Sequence, residues 1–143
     1  MKYVCLCGLV CSVTLLADDR PNFTGKWQLD AAKSEIHTKA ASAWSIEQTG
    51  DSISINQEEA GRTESLKCGT DGKTCKAKED GQTAEIMFYY NGPLLVETDM
   101  FGHDNGRVVK KRLKMAPDGK TMEVEVMHIT PAAPAEKWVF AKQ

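Results

Sequence analysis

Residues 107–130, which read RVVKKRLKMAPDGKTMEVEVMHIT, decide the fold. Apolar and charged residues alternate on both sides of Asp118-Gly119, and such a two-residue period is typical of strands with one buried face. A tight turn at Asp118-Gly119 gives a hairpin with opposite charges paired on its outer face. The outer pairs are Arg112–Glu125 and Lys114–Glu123, and the inner pairs are Met115–Met122, Leu113–Val124, Lys111–Val126 and Val109–His128.

The preceding strands are predicted to continue the same sheet. A two-residue turn at Asn105-Gly106 places the strand at 94–101 beside this hairpin, with Val96, Thr98 and Met100 facing inward. The outer face then carries two rows of alternating charge, Glu97–Lys114–Glu123 and Asp99–Arg112–Glu125. A three-residue loop at 91–93 adds the inner pairs Phe88–Val96 and Ile86–Thr98. A slip of one residue would turn the charges inward, so we expect this register to be fixed.

Turn signals such as Asn-Gly and Asp-Gly recur along the chain and separate short alternating runs. These runs predict strands near 26–30, 43–48, 52–57, 63–69, 73–78, 83–90, 94–101, 107–115, 120–130 and 136–142. Only Asp30–Ser42 has helical composition, and Asp30 is a candidate cap for a turn or two of helix. A sheet with one apolar side must cover that side, and closure does so while removing the edges. The predicted fold class is all-β, an antiparallel up-and-down barrel of about 8–10 strands.

The first 17 residues have the order of a secretory signal peptide. Lys2 precedes the apolar run Tyr3–Leu16, and Ala17 precedes the polar pair Asp18-Asp19. The apolar run is too short to cross a bilayer as a helix of the mature protein. We therefore expect cleavage near Ala17, a single domain at 18–143 without a membrane span, and a secreted or periplasmic location.

Two cysteines, Cys68 and Cys75, stand at equal distances from the turn signal Asp71-Gly72. Direct cross-strand neighbours have Cα atoms about 5.5 Å apart, within disulfide reach, although a hydrogen-bonded pair is the less favoured site. A redox-active pair is the alternative, but the spacing is not Cys-x-x-Cys and no helix N-terminus is predicted nearby. The sequence predicts a structural disulfide, in keeping with an oxidising compartment.

Charge and motifs argue against several function classes. The formal net charge is -2, whereas nucleic-acid binding requires a basic surface. The sequence has no Gly-x-Ser-x-Gly motif, and its histidines, His37, His103 and His128, lack metal-ligand spacing. We therefore expect a monomeric protein that is not an enzyme and that has no cofactor, metal or nucleic-acid partner.

The segment at 22–30, NFTGKWQLD, carries a Gly-x-Trp motif, and Lys33-Ser34 follows it. It resembles the opening of lipocalin-like (calycin-type) barrels, especially of small secreted bacterial proteins that end on an aromatic strand, here Trp138-Val139-Phe140. The resemblance implies an apolar interior and a Trp27 that closes the barrel base under a basic side chain, Lys137 or Lys142. It does not supply a ligand.

The predicted register brings Lys111 and His128 to one rim of the inner face. One interpretation is that their tips simply reach water. The other is a cationic head-group site above an apolar pocket, in which Lys111 binds a long-chain carboxylate. The pocket residues of this second interpretation are Phe88, Met100, Leu113, Val96 and Val124.

The predicted function is therefore the binding of a small hydrophobic molecule, apolar throughout or with an anionic end. The alternative is a structural or protein-interaction module of the cell envelope, such as a hydrolase inhibitor, with a filled barrel. A cavity of roughly a few hundred Å³ favours ligand binding. An interior filled by Trp44, Met87, Phe88 and Met115 favours the module.

Overall fold

A computed structural model describes residues 20–79, 81–102 and 106–143. Within these ranges the chain forms ten strands and one short 3-10 turn, η1 (Ala31–Lys33). The strands are β1 (Gly25–Leu29), β2 (Ala43–Thr49), β3 (Ser52–Glu59), β4 (Arg62–Gly69), β5 (Asp71–Glu79), β6 (Gln82–Asn91), β7 (Leu94–Phe101), β8 (Arg107–Met115), β9 (Thr121–Thr130) and β10 (Ala133–Lys142). The predicted signal peptide at 1–17, His103 and Asn105 lie outside the described residues.

All ten strands belong to one antiparallel sheet with the order β4-β3-β2-β1-β10-β9-β8-β7-β6-β5. Strands that follow one another in sequence are hydrogen-bonded, except β4 and β5, which stand at the two ends of the sheet, and β1 also pairs with β10. The predicted all-β, up-and-down barrel is therefore confirmed. Of the predicted helical segment 30–42, only η1 is helical. Asp30 precedes η1, but its side chain makes no capping hydrogen bond. No helix within the described ranges is long and apolar enough to cross a membrane.

The hairpin of β8 and β9 has the predicted register, and all six predicted pairs are present. Its outer face carries the ion pair of Arg112 and Glu125, whose charged atoms are 3.0 Å apart. Its inner face includes Leu113 and Val124, both fully buried. The alternation of residue types over 107–130 is therefore sufficient to fix this pair of strands.

The predicted register of β7 against β8 is wrong by three residues. Lys111 pairs with Glu97, not with Met100, and Val96 pairs with Arg112. The reason is the length of the connection, because Phe101 pairs with Arg107 and five residues separate them where a two-residue turn was predicted. An odd shift exchanges the two faces of a strand. Glu97 and Asp99 consequently lie in the barrel interior, and the predicted outer rows of alternating charge lose their β7 members.

The turn between β6 and β7 is also shorter than predicted. Asn91 pairs with Leu94, so Gly92 and Pro93 alone form the turn, and Gly92 adopts the left-handed conformation with a φ of 58°. Phe88 stays on the inner face as predicted, but its partner across the strands is Glu97. The predicted pairs Phe88–Val96 and Ile86–Thr98 are therefore wrong.

The half of the barrel interior that lies towards Phe23 is filled with side chains, and the barrel is closed at that end. Its core contains large fully buried side chains, Trp27, Trp44, Phe88, Met122 and Phe140 among them. Phe23, which precedes β1, is fully buried, and its carbonyl accepts a 2.9 Å hydrogen bond from the Trp27 indole. A chain of hydrogen bonds also holds residues 21–23. The Phe23 amide donates to Gln48 Oε1, Gln48 Nε2 donates to the Tyr90 hydroxyl, and that hydroxyl donates to the Pro21 carbonyl.

The barrel has one seam without a backbone ladder, between β4 and β5, among the described strand pairings. The disulfide Cys68–Cys75 crosses this seam with a Cα–Cα distance of 5.7 Å, which confirms the predicted bridge. The pair was expected to be a hydrogen-bonded one centred on Asp71-Gly72, but β4 ends at Gly69 and β5 begins at Asp71. Towards the other end of the seam, a Glu64 carboxylate oxygen accepts a 3.0 Å bond from the Gly81 amide.

Candidate functional site

The end of the barrel away from Phe23 contains a cavity of about 370 Å³. It lies among the last residues of β3, β5, β7 and β9 and the first residues of β4 and β8. Apolar side chains form much of its wall, namely Ala41, Phe101, Val109, Val126 and Trp138. Because a water molecule takes about 30 Å³ in the liquid, this volume accommodates roughly a dozen water-sized groups. The cavity therefore suits a compact ligand.

Charged side chains of both signs surround the cavity opening. Lys39 lies 3.9 Å from a Glu59 carboxylate oxygen, and the Arg107 guanidinium lies 3.8 Å from the centroid of the Phe101 ring. Arg62 and Glu64 also border the cavity. Much of this rim is exposed, so water and salt screen its charges. The rim therefore gives little preference for either sign of ligand charge.

Deeper in the wall lies a buried ion cluster, which we call the Lys111 cluster and which contains Lys111, Glu79, Glu97 and Asp99. The Lys111 Nζ atom is 2.7 Å from Asp99 Oδ2, 2.8 Å from Glu79 Oε1 and 3.2 Å from Glu97 Oε1. Lys111, Asp99 and Glu79 line the cavity. Glu97 is fully buried. One ammonium group therefore serves three carboxyl groups.

Burial and neighbouring charges both shift the pKa values of this cluster. Burial lowers the pKa of Lys111, but the charges of Asp99, Glu79 and Glu97 together raise it well above its ordinary value. Burial raises the pKa of Glu97 well above 4.5, and the charge of Asp99 raises it further. Burial also raises the pKa of Glu79, against the attraction of Lys111. These shifts favour a charged Lys111 beside a protonated Glu97.

Hydrogen-bond acceptors outnumber donors in the Lys111 cluster. The Lys111 ammonium donates hydrogen bonds to Glu79 Oε1 and Glu97 Oε1 and forms an ion pair with Asp99 Oδ2. Glu79 Oε2, Glu97 Oε2 and both carboxylate oxygens of Asp99 are buried without a hydrogen-bond partner. A proton on Glu97 can serve only one neighbouring oxygen. Since buried polar atoms are nearly always paired, the remaining acceptors can be satisfied by a donor from outside the cluster.

Residues 34–42, which we call the strap, run beside the cavity and are anchored to Glu136 of β10. The buried Glu136 carboxylate accepts bonds from the backbone amides of His37 and Thr38 and from the Thr38 hydroxyl. His128 Nε2 lies 3.1 Å from the same carboxylate. Burial opposes ionisation, but these hydrogen bonds outweigh it and hold the pKa of Glu136 below its usual value. The ionised carboxylate thus ties the strap to the barrel.

Only two of the predicted ligand-binding residues, Lys111 and His128, line the cavity. Phe88, Leu113 and Val124 are fully buried and belong to the filled core. Val96 and Met100 share the outer face of β7 because its register differs from the predicted one. Lys111 is not free to receive an anionic head group, since three carboxyl groups already contact its ammonium.

Trp27, the predicted base of the barrel, is buried in β1 at the closed end. Of the two candidate cover residues, it is Lys142 whose ammonium lies 5.5 Å from the Trp27 ring centroid. Its side chain also lies over Gly25, where an added Cβ would come within 2.7 Å of Lys142 Cε. The glycine and the tryptophan of the motif therefore share one contact, which a side chain at position 25 would disturb.

The carboxylates of Glu79, Glu97 and Asp99 also have a spacing that metal ions use, with ligand oxygens within 4.8 Å of one another. The Lys111 ammonium already lies against each of them and supplies a positive charge. An incoming metal ion would have to displace this ammonium. The donor set is therefore better described as a lysine site than as a metal centre.

Sequence reasoning missed Glu79, Asp99 and Glu136 as site residues. Asp99 and Glu97 carry an alternating pattern that fits either face of β7, and only the length of the 102–106 loop decides between the two. Glu79 is one of a run of charged residues at a strand end, where a solvated surface is the usual expectation. No local signal distinguishes Glu136, because its partners lie nearly a hundred residues earlier.

No protein-family model matches this sequence, and no curated protein matches it. Solved structures do match in fold. A REP1-NXSQ fatty acid transporter superimposes with a TM-score of 0.67 at 14% identity, over 85% of this chain and 96% of the other. A Schistosoma mansoni fatty acid binding protein, solved with arachidonic acid, has a TM-score of 0.67 at 16% identity over the same shares. The chain is therefore similar in fold to these two proteins.

Proposed function

We propose that this protein binds one compact, mainly apolar molecule in its barrel cavity and acts as a carrier rather than an enzyme. The observation that supports this most directly is the cavity of about 370 Å³ with its wall of Ala41, Phe101, Val109, Val126 and Trp138. Ligand sites of proteins are typically concave and combine apolar walls with polar groups. This cavity combines those five apolar side chains with eleven polar or charged ones, so it offers a ligand both an apolar wall and polar partners. The fold similarity to fatty acid binding proteins gives independent support.

The proposed ligand is smaller than the long-chain carboxylate that the sequence suggested. Room for roughly a dozen water-sized groups corresponds to a molecule of similar heavy-atom count. Small ligands gain at most about 0.3–1.5 kcal/mol per non-hydrogen atom, with larger ligands at the low end. We therefore expect a dissociation constant on the order of 10–100 µM for a simple alkyl ligand.

A secreted or periplasmic location and a monomeric state belong to the same proposal. The disulfide across the β4–β5 seam supports an oxidising compartment, since such bridges persist mainly there. The filled-barrel module remains the competing function, and the filled half of the core is the observation in its favour. The two functions differ in whether the cavity binds a molecule.

Filling the cavity tests the proposal. Val109→Phe adds an aromatic ring to a cavity-lining residue and should weaken binding of a ten-carbon alkyl alcohol about tenfold or more, because the added ring takes its space. Val108→Phe is the matched control, since Val108 is the neighbour on the outer face of β8. Calorimetry measures the affinity, and fluorescence of the cavity-lining Trp138 offers a second signal. Equal affinity of both variants, or no binding to the parent protein, would contradict the proposed cavity site.

A further inference from the structure

The unpartnered acceptors of the Lys111 cluster restrict the kind of polar group that a ligand in the cavity can carry. The side chain of Asp99 is 1% exposed and lines the cavity. Neither of its oxygens has a hydrogen-bond partner, although Oδ2 is ion-paired with Lys111. Glu79 lines the cavity beside it, and its Oε2 also lacks a partner. Both groups accept hydrogen bonds, and neither donates when ionised.

We infer that the ligand carries a hydrogen-bond donor at its polar end, a protonated amine above all, which binds Glu79 and Asp99. This inference rests on the proposed function, because it names the class of molecule that the cavity takes. A carboxylate would bring further acceptors to a cluster already short of donors. An ammonium group would instead provide the missing donor and a compensating positive charge.

Charge in the buried part of the wall points the same way. Three carboxyl groups face a single lysine, so the cluster remains acidic even with Glu97 protonated, as its raised pKa favours. Lys39, Arg62 and Arg107 stand at the rim. Lys39 is largely exposed and lies near Glu59, and Arg107 lies over Phe101. Buried charges are screened less than exposed ones, so the cluster decides the preference.

The geometry also gives the ligand an orientation. The apolar wall of Phe101, Val109, Val126 and Trp138 adjoins Asp99 and Glu79 in the same cavity. A short alkyl or aryl amine can therefore place its ammonium at the carboxylates and its apolar part against this wall. His128, which is held by Glu136, borders the same space without adding a free anion.

A matched series of three probes tests this inference. Decylammonium, decan-1-ol and decanoate share an alkyl chain and differ in the polar end. Titration calorimetry on the oxidised protein at neutral pH should give affinities in the order amine, alcohol, carboxylate, with the amine about tenfold or more tighter than the carboxylate. Decanoate binding as tightly as decylammonium would overturn the inference and leave the proposed cavity site standing. Binding of none of the three would overturn both.

The substitution Glu79→Gln tests whether the ammonium group binds at the Lys111 cluster. It removes one acceptor charge that lines the cavity and should weaken decylammonium binding about tenfold while leaving decan-1-ol within about twofold. Glu85→Gln is the control, with the same change of charge on an exposed residue of the neighbouring strand β6. Equal amine affinity in Glu79→Gln and Glu85→Gln would place the ammonium elsewhere and overturn this assignment. If Glu79→Gln does not fold, the ranking of the three probes on the parent protein decides alone.

Discussion

At the residue scale, the most unusual feature of the protein is a charged lysine in the barrel interior. Lys111 is almost fully buried, and its charge is retained only because three carboxyl groups surround it. Burial of such a cluster is costly unless every charge is paired, and here one of the carboxyls, Glu97, has a pKa well above 4.5. Glu97 therefore takes up a proton on folding at pH values where the unfolded chain has lost it.

This proton uptake predicts a pH dependence of stability. Because the native state binds the extra proton, the free energy of unfolding should fall as pH rises from 4.5 towards the raised native pKa of Glu97. Glu97→Gln cannot ionise, so its stability should decline less over this range. Urea unfolding at a series of pH values measures the slope. Identical slopes for the two proteins would show that Glu97 is ionised in the native state.

At the element scale, the alternation along β8 assigns its lysines to opposite environments. Lys111 points into the barrel, whereas Lys114 is exposed on the outer face opposite Glu123. The same alternation on β7 does not assign Glu97 and Asp99, because acids fit the outer face of any strand. Only the register set by the five residues between Phe101 and Arg107 places them on the same face as Lys111.

The two lysines of β8 should therefore respond differently to the same substitution. Lys111→Met leaves three buried carboxyl groups without their cation and should cost about 3–5 kcal/mol in the free energy of unfolding. Lys114→Met removes a charge that water already solvates, and we expect little change. Chemical denaturation of both variants provides the comparison. A small effect of Lys111→Met would mean that the cluster is not formed as described.

At the scale of the whole molecule, a single sheet closes on itself except at the seam between β4 and β5. A disulfide crosses the seam near one end. Near the other end, beside the cavity, the Gly81 amide donates a hydrogen bond to the Glu64 carboxylate. Edge strands without a ladder depend on such links, because their backbone groups have partners on one side only.

Removing the bridge should loosen the barrel at this seam first. Cys68→Ser combined with Cys75→Ser opens a loop with a sequence separation of 7. The loss should stay below the roughly 3 kcal/mol associated with a 15-residue loop. Amide hydrogen exchange should accelerate in β4 and β5, while the hairpin of β8 and β9 keeps its protection. Uniform acceleration across all ten strands would argue against a local role for the bridge.

Local sequence was sufficient for the ten strands and the β8–β9 register, because both follow from alternation and turn signals within short stretches. It also predicted the Cys68–Cys75 bridge, although these cysteines face each other across a seam and not within a hydrogen-bonded hairpin. Tertiary structure decided the position of β7, the Lys111 cluster and the strap held by Glu136. The physical reason is that these depend on the number of residues between β7 and β8 and on partners far apart in the chain. The cavity belongs with them, since its walls come from seven strands and the strap. A pattern of local periodicity cannot specify where such distant side chains leave space.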